Sequence, residues 1–345
     1  MNGADVIDAT SDPQSAIEHV HVLGLGRMGQ GIALAFAFAG LGVTLIDFKE
    51  REAADYDRSA SQALAAIAGQ LATLERLQRI SAADAQTVLA RVAVHNRHTA
   101  VSNLGSSAIV FEAVPERIDA KEAALKWVVA HCHASTILAS TTSTFLVTAL
   151  QDLMPSDADA ARVINTHWLN PAHLMPLIEV SRSARNAPSH VERVLSLLRA
   201  IGKVPVVCAP SPGFIVPRIQ AQAMNEAARM VEEGVASAED IDLAIRTGFG
   251  LRFSVLGLLE FIDWGGCDIL FYASKYLSEQ LGERFTAADI VQAHMRDGQD
   301  GLRTGQGFFD YANRDVQAYV DQRMGAFSAM LDHLGHAPVL NAAKR

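Results

Sequence analysis

Two clusters of residues have the types and the spacing to do chemistry. One is GLGRMG over residues 24–29, which follows a β-rich run at 19–23 and precedes apolar residues at helical spacing over 30–39. A strand, glycine turn and helix in this order form a cradle for a pyrophosphate. Gly24 can make the tight turn, Gly26 leaves room for phosphates to reach backbone N–H groups at the helix N-terminus, and Gly29 lets the helix pack closely on the sheet. Arg27 and Met28 occupy the intervening positions and count with the glycines as cofactor-binding positions. Asp47 closes the next strand 23 residues after Gly24, where a carboxylate binds the adenosine ribose hydroxyls. An acid there repels a 2′-phosphate, so NAD is favoured over NADP. A glycine turn without a ligand is the plain alternative, and the strand, the helix and the terminal acid together argue against it.

The other cluster lies in NTHWLNPAHLMPLIEV, residues 165–180. His167 sits where a strand meets the turn at Asn170 and Pro171, and Glu179 follows twelve residues later among Leu177, Ile178 and Val180. A carboxylate in such apolar company needs a partner if it is buried. A two-strand return brings it beside the imidazole, where it fixes the tautomer of a base and stabilises the imidazolium that forms. Alcohol oxidation needs such a pair, because a proton must leave the hydroxyl as the hydride leaves carbon. Taken alone, these residues fit equally well a core histidine and a glutamate on the solvent face of an edge strand.

The elements that must position these residues alternate. Strand-like runs at 43–46, 108–113, 136–140, 162–166, 174–180 and 204–208 are interleaved with helical runs at 117–130 and 190–201. This predicts an α/β fold with a mainly parallel sheet covered by helices. Residues 50–89 are rich in Ala, Leu and Gln and read as a helical hairpin broken at Ile80-Ser81, with Ser81 and Asp84 as a capping start for its second arm. After Pro210 and Pro212 the chain reads as almost all helix (214–233, 238–247, 267–281), ending in a helix over 316–334 expected to dock through Tyr319, Val320, Met324, Phe327, Met330 and Leu331. The organisation expected is a disordered tail over 1–18, a nucleotide-binding domain over 19–209 and a helical domain over 210–345.

Composition bounds the rest. With 345 residues, half of them apolar and 19% charged, the chain is an ordinary globular one of about two domains. Its net charge of −9 argues against nucleic acid or an anionic membrane as the main partner. Three scattered cysteines make no disulfide framework and fit a reducing compartment. The first eighteen residues lack the basic start and apolar run of a signal peptide, and the longest apolar stretch, over 32–41, is far short of the roughly 20 residues of a membrane span. The expectation is a cytoplasmic protein.

The ordered motifs resemble those of the 3-hydroxyacyl-CoA dehydrogenase family from about His19 to Tyr311. They are GLGRMG with Asp47, EAVPER (112–117), ASTTST (139–144), the HWLNP and PLIEV block, PGFIVPR (212–218), EEGVASAEDID (232–242) and TGQGFFDY (304–311). The resemblance implies His167 as general base, Glu179 as its partner and Ser143 as hydroxyl donor to the substrate oxygen. It places Glu112 near the nicotinamide ribose, with Thr141 and Asn170 lining the nicotinamide end. It also implies a helical C-terminal domain that dimerises and closes one wall of the active site, hence a homodimer. Ser143 would otherwise read as an ordinary helix cap.

Three departures bear on the substrate. Pro217 stands where the family has an asparagine that contacts the acyl substrate, and it offers neither amide nor N–H. The hairpin over 59–89 has no lysine for CoA phosphates, leaving Arg76 and Arg79. GLRFSVLG (250–257) resembles the branch acting on free hydroxy acids such as carnitine or gulonate, where Arg252 would grip a substrate carboxylate. The leading expectation is a short 3-hydroxyacyl-CoA. The alternatives are a free hydroxy acid and, in another class, a non-catalytic NAD-binding protein. His131-Cys132-His133 lacks a second ligand pair and is not read as a metal site. Trp168 and Trp264 read as core, and Asp263 and Asp268 as solvated or capping residues.

Overall fold

The computed structural model describes residues 17–337, which fall into two compact units dividing between Ala223 and Met224. The tail expected over residues 1–18 lies, but for Ile17 and Glu18, outside the described residues.

The first unit is built on one sheet of eight strands: β1 (His19–Leu23), β2 (Gly42–Asp47), β3 (Val92–Asn96), β4 (Ile109–Glu112), β5 (Ile137–Ser140), β6 (Val163–Trp168), β7 (Leu177–Ser181) and β8 (Val204–Cys208). Their order is β3-β2-β1-β4-β5-β6-β7-β8, and every neighbouring pair is parallel except β6 and β7. This is the doubly wound dinucleotide-binding arrangement, as the alternation of elements predicts. Its chain order reverses between β1 and β4, which opens a crevice at the carboxyl ends of those strands.

Alternate residues of the central strands feed two cores. Val20, Val22, Val43, Leu45, Phe111 and Ile164 pack on one face with α1 (Arg27–Phe38), while Leu23, Ile46, Val110, Leu138 and Val163 pack on the other with helix Ile118–His131. Burial on both faces explains why runs such as 109–111 and 137–139 are continuously apolar. The hairpin forms as α2 (Ala53–Arg76) and α3 (Ala82–Leu89), and Ser81 with Asp84 makes a reciprocal capping box. β3 has no counterpart in the sequence reading, since it is a short edge strand with only Val92 buried.

The second unit is helical, with Ala238–Ala244, Leu258–Gly265, Cys267–Leu281, Asp289–Asp297 and Val316–Leu334 as its main elements. Two expectations need correction here. Asp263 is not solvated: it is buried, and its carboxylate accepts from the N–H groups of Phe308 and Phe309 at 2.9 and 2.8 Å and from the hydroxyl of Tyr311 at 3.2 Å. It is the anchor on which the GFFDY segment folds back. Of the residues expected to dock the terminal helix, Val320, Phe327, Met330 and Leu331 are half-buried, and the exception is Met324. Tyr319 is buried and donates to Glu260 Oε1 at 2.5 Å, whereas Met324 is 55% exposed. Asp268 is not the cap of its helix, which is Gly266; it sits half-exposed in the first turn, pairing with Arg303 and accepting from the N–H of Ile269.

Candidate active site

The crevice beside β1 and β4 opens into a cavity of about 880 Å³, lined among others by Gly24, Gly26, Arg27, Met28, Asp47, Thr141, Ser143, His167 and Trp168. The glycine loop is built as its spacing requires. Gly24 has φ of 123°, and a Cβ there would stand 2.4 Å from the carbonyl oxygen of Ala113. A Cβ at Gly29 would stand 2.0 Å from the carbonyl oxygen of Gly24, so this position packs the helix and does not line the cavity. A Cβ at Gly26 would meet nothing within 4 Å: its glycine leaves space for a ligand rather than for the protein. α1 begins there with no capping side chain and no acid in its first turn, so its N–H groups and positive dipole end are free for an anion. At the far end Asp47 is buried and accepts from Arg51 Nε at 2.7 Å. An anion cradle at one end and a carboxylate at the other fit an extended dinucleotide.

The histidine and glutamate come together through strand pairing. β6 and β7 are antiparallel with His167 opposite Glu179, and Glu179 Oε2 lies 2.7 Å from His167 Nδ1. A carboxylate only accepts, so Nδ1 carries the proton and Nε2 is left as the basic nitrogen. The other oxygen, Oε1, accepts from the N–H groups of Ile215 and Val216, both at 2.8 Å, where helix Val216–Glu232 begins. Buried completely, the carboxylate is satisfied by three donors and a helix dipole. Pro217, half-buried, follows in the same first turn, where its missing N–H would have had no partner. Phe214 of the same segment stacks its ring on the imidazole.

Not every expected residue reaches the cavity. Glu112 does not: it is buried, with Lys121 Nζ at 3.1 Å, the N–H of Val114 at 2.9 Å and Ser140 Oγ at 2.5 Å filling its oxygens. The acid of this motif that faces the cavity is Glu116, the second glutamate of EAVPER, which sequence reasoning missed. Its carboxylate accepts from Thr142 Oγ1 at 2.5 Å and from the N–H groups of Ser143 and Thr144 at 3.0 and 2.9 Å. Burial opposes its ionisation, but the Thr142 hydroxyl and the Lys121 ammonium outweigh this and hold its pKa below the ordinary glutamate value. The signal lay in the four-residue spacing of the two glutamates, which puts the first on the strand and the second beyond its end. Asn170 is exposed, in a cis peptide with Pro171, and is not among the cavity-lining residues. Arg252 belongs to the second unit, its guanidinium 4.6 Å over the ring of Phe261.

Trp168 is buried as core and also borders the cavity. His131 Nδ1 bonds the carbonyl of Trp127, and among the described residues no group of three His, Cys, Asp or Glu side chains could hold a metal ion. Nor is any described helix long and apolar enough to cross a membrane.

Comparison with known proteins agrees with this geometry. Residues 19–211 match the model of the 3-hydroxyacyl-CoA dehydrogenase NAD-binding domain, and residues 213–311 match that of its C-terminal domain. A 5-formyl-3-hydroxy-2-methylpyridine 4-carboxylate 5-dehydrogenase of Mesorhizobium japonicum is 30% identical over 318 residues, 89% of this chain and 95% of that protein. The mitochondrial hydroxyacyl-coenzyme A dehydrogenase of Sus scrofa is 29% identical over 305 residues, 88% of this chain and 94% of that protein. The crystal structure of a 3-hydroxyacyl-CoA dehydrogenase of Archaeoglobus fulgidus superposes with a TM-score of 0.71 at 30% identity, covering 92% of this chain and 99% of the other. The reading as a non-catalytic NAD binder falls away. The chain is an NAD-dependent oxidoreductase acting on a hydroxyl group, and it belongs to the 3-hydroxyacyl-CoA dehydrogenase family.

Proposed function

We propose that the protein reversibly oxidises the 3-hydroxyl of a short 3-hydroxyacyl-CoA to the 3-oxo form. The observation that carries this reading is the His167–Glu179 pair, joined at 2.7 Å, with His167 on the wall of the cavity that the glycine loop also lines. NAD, when bound, supplies the hydride acceptor. His167 Nε2 takes the hydroxyl proton, and Glu179 holds the ring in that tautomer and offsets the charge of the imidazolium. Ser143, exposed at the cavity wall, donates to the substrate oxygen. Glu116 fixes the loop that carries Ser143 and takes the place assigned to Glu112 beside the nicotinamide ribose. Thr141 borders the nicotinamide end, and Asp47 takes the adenosine ribose.

A second reading, a small free hydroxy acid without CoA, has its own support. Pro217 removes an amide, the hairpin has no lysine, and the Mesorhizobium relative is named for a pyridine carboxylate. Arg252, stacked on Phe261, keeps the edge of its guanidinium free for a substrate carboxylate. NADH absorbance with 3-hydroxybutyryl-CoA, free 3-hydroxybutyrate, carnitine, gulonate and a hydroxypyridine carboxylate decides between them. Activity on the free acids and none on the thioester overturns the first reading.

Dimerisation through the helical unit belongs to the same proposal. Helix Cys267–Leu281 leaves Ile269, Tyr272 and Tyr276 about three-fifths exposed at helical spacing, an apolar stripe of the kind that a second subunit covers. Light scattering would read twice the mass of one chain.

A further inference from the structure

Lys203 has no part in the chemistry described above, yet it is buried among groups that position it. It stands in the turn between helix Pro188–Ala200 and β8 and is 8% exposed. Its ammonium donates to the carbonyl oxygens of Ala172 and Met175, both at 2.8 Å, and of His173 at 3.4 Å. All three carbonyls belong to the loop of residues 169–176 that joins β6 to β7. The ammonium also lies 5.6 Å from the centre of the Trp168 ring. Three donors meet three acceptors, and burial lowers the lysine's pKa, a sign of what this placement costs.

The same loop touches the nucleotide side. A Cβ at Gly31 of α1 would come within 3.0 Å of Ala172 Cβ, so the loop rests on the helix that starts at the glycine cradle. Its two ends run directly into the strands of His167 and Glu179. One loop thus spans from the dinucleotide helix to the base, and one lysine gathers its carbonyls.

We propose that Lys203 is a positioning residue: it pins the β6–β7 loop so that His167 is held at a fixed place relative to α1 and the dinucleotide. This rests on His167 being the base. Misplacement by about 1 Å costs roughly 100-fold in rate, so the pin acts on turnover rather than on binding.

The test uses the whole chain with Lys203→Met, which keeps length and removes the charge and donors, alone and in a His167→Asn background. The expected result is a fall in kcat of about 30-fold or more, with NADH affinity by fluorescence and substrate KM each within threefold. In the His167→Asn background the same substitution costs little more, because residues acting as a unit are not additive. Near-normal kcat in Lys203→Met, or an equal loss in both backgrounds, overturns the proposal. If Lys203→Met does not fold, Lys203→Arg, which keeps charge but alters reach, is judged by the same two comparisons. Normal turnover in His167→Asn alone would instead refute the base assignment, a separate failure.

Discussion

The imidazole of His167 lies flat on the ring of Phe214, with centroids 5.2 Å apart and planes 11° apart. Phe214 holds φ at 46°, a left-handed conformation that costs an aromatic residue about 1 kcal/mol or more. The strained turn puts the ring on the imidazole and delivers the next two N–H groups to Glu179. The base is therefore fixed in plane by the carboxylate and across its face by the stack.

Replacing Glu179 with glutamine tests that fixation. Glutamine can keep accepting from Ile215 and Val216 while presenting an NH2 donor to Nδ1, which drives the ring to the wrong tautomer. The expected effect is a loss of kcat of roughly 10²- to 10⁴-fold with NADH binding nearly unchanged. Steady-state rates and a fluorescence titration check it, and a rate within threefold of the parent would refute the role.

Two glycines of one motif should fail differently. Gly26→Ala meets open space, so the unfolding temperature should hold while NADH affinity falls about tenfold or more, as a methyl group obstructs the pyrophosphate. Gly29→Ala drives a Cβ into the Gly24 carbonyl, an overpacking worth about 1–3 kcal/mol, and should lower the unfolding temperature by several degrees. Thermal scans beside titrations separate the two. Equal thermal shifts would contradict the assignment.

At the adenosine end, Asp47→Ala removes a charged acceptor and leaves Arg51 unpaired. NAD should bind about 10- to 100-fold more weakly, the worth of hydrogen bonds to a charged group. NADP should lose less, since the freed guanidinium can meet its 2′-phosphate. Competitive titration of both dinucleotides reads the ratio, and an unchanged ratio would exclude Asp47 from recognition.

Acid should destabilise the first unit through His21. Burial first, then the neighbouring His19 and His95, push its pKa from 6.5 down to about 4, while Nδ1 stays 2.9 Å from Ser107 Oγ. The unfolded chain therefore takes up this proton at a higher pH than the folded one. The stability is intact above about pH 6.5 and is lost as pH falls toward 4, amounting to about 2 kcal/mol between pH 7 and pH 5. Urea unfolding at both pH values should show a smaller difference for His21→Gln than for the parent.

Much of the site was legible because its chemistry is written locally. The glycine loop, Asp47 and the capping box of Ser81 and Asp84 each depend on residues close in sequence. The His167–Glu179 contact needed a guess about pairing, since twelve residues separate the two. What stayed hidden depends on tertiary partners. Glu112 and Glu116 look equivalent on paper, and the buried Lys121 pairs with both; the end of β4 at Glu112 decides which one is buried in the sheet and which lies at the cavity. Asp263 reads as solvated or capping because its three donors lie about 45 residues further on.

The antiparallel register of β6 and β7 turns the relay into a matter of counting. Eight residues, 169–176, separate the two strands. Inserting or deleting one of them, unless the strands re-pair, would set Ile178 or Val180 across from His167 and turn the carboxylate toward the opposite face of the sheet. A one-residue slip of that pairing would silence the enzyme with every reacting side chain still encoded.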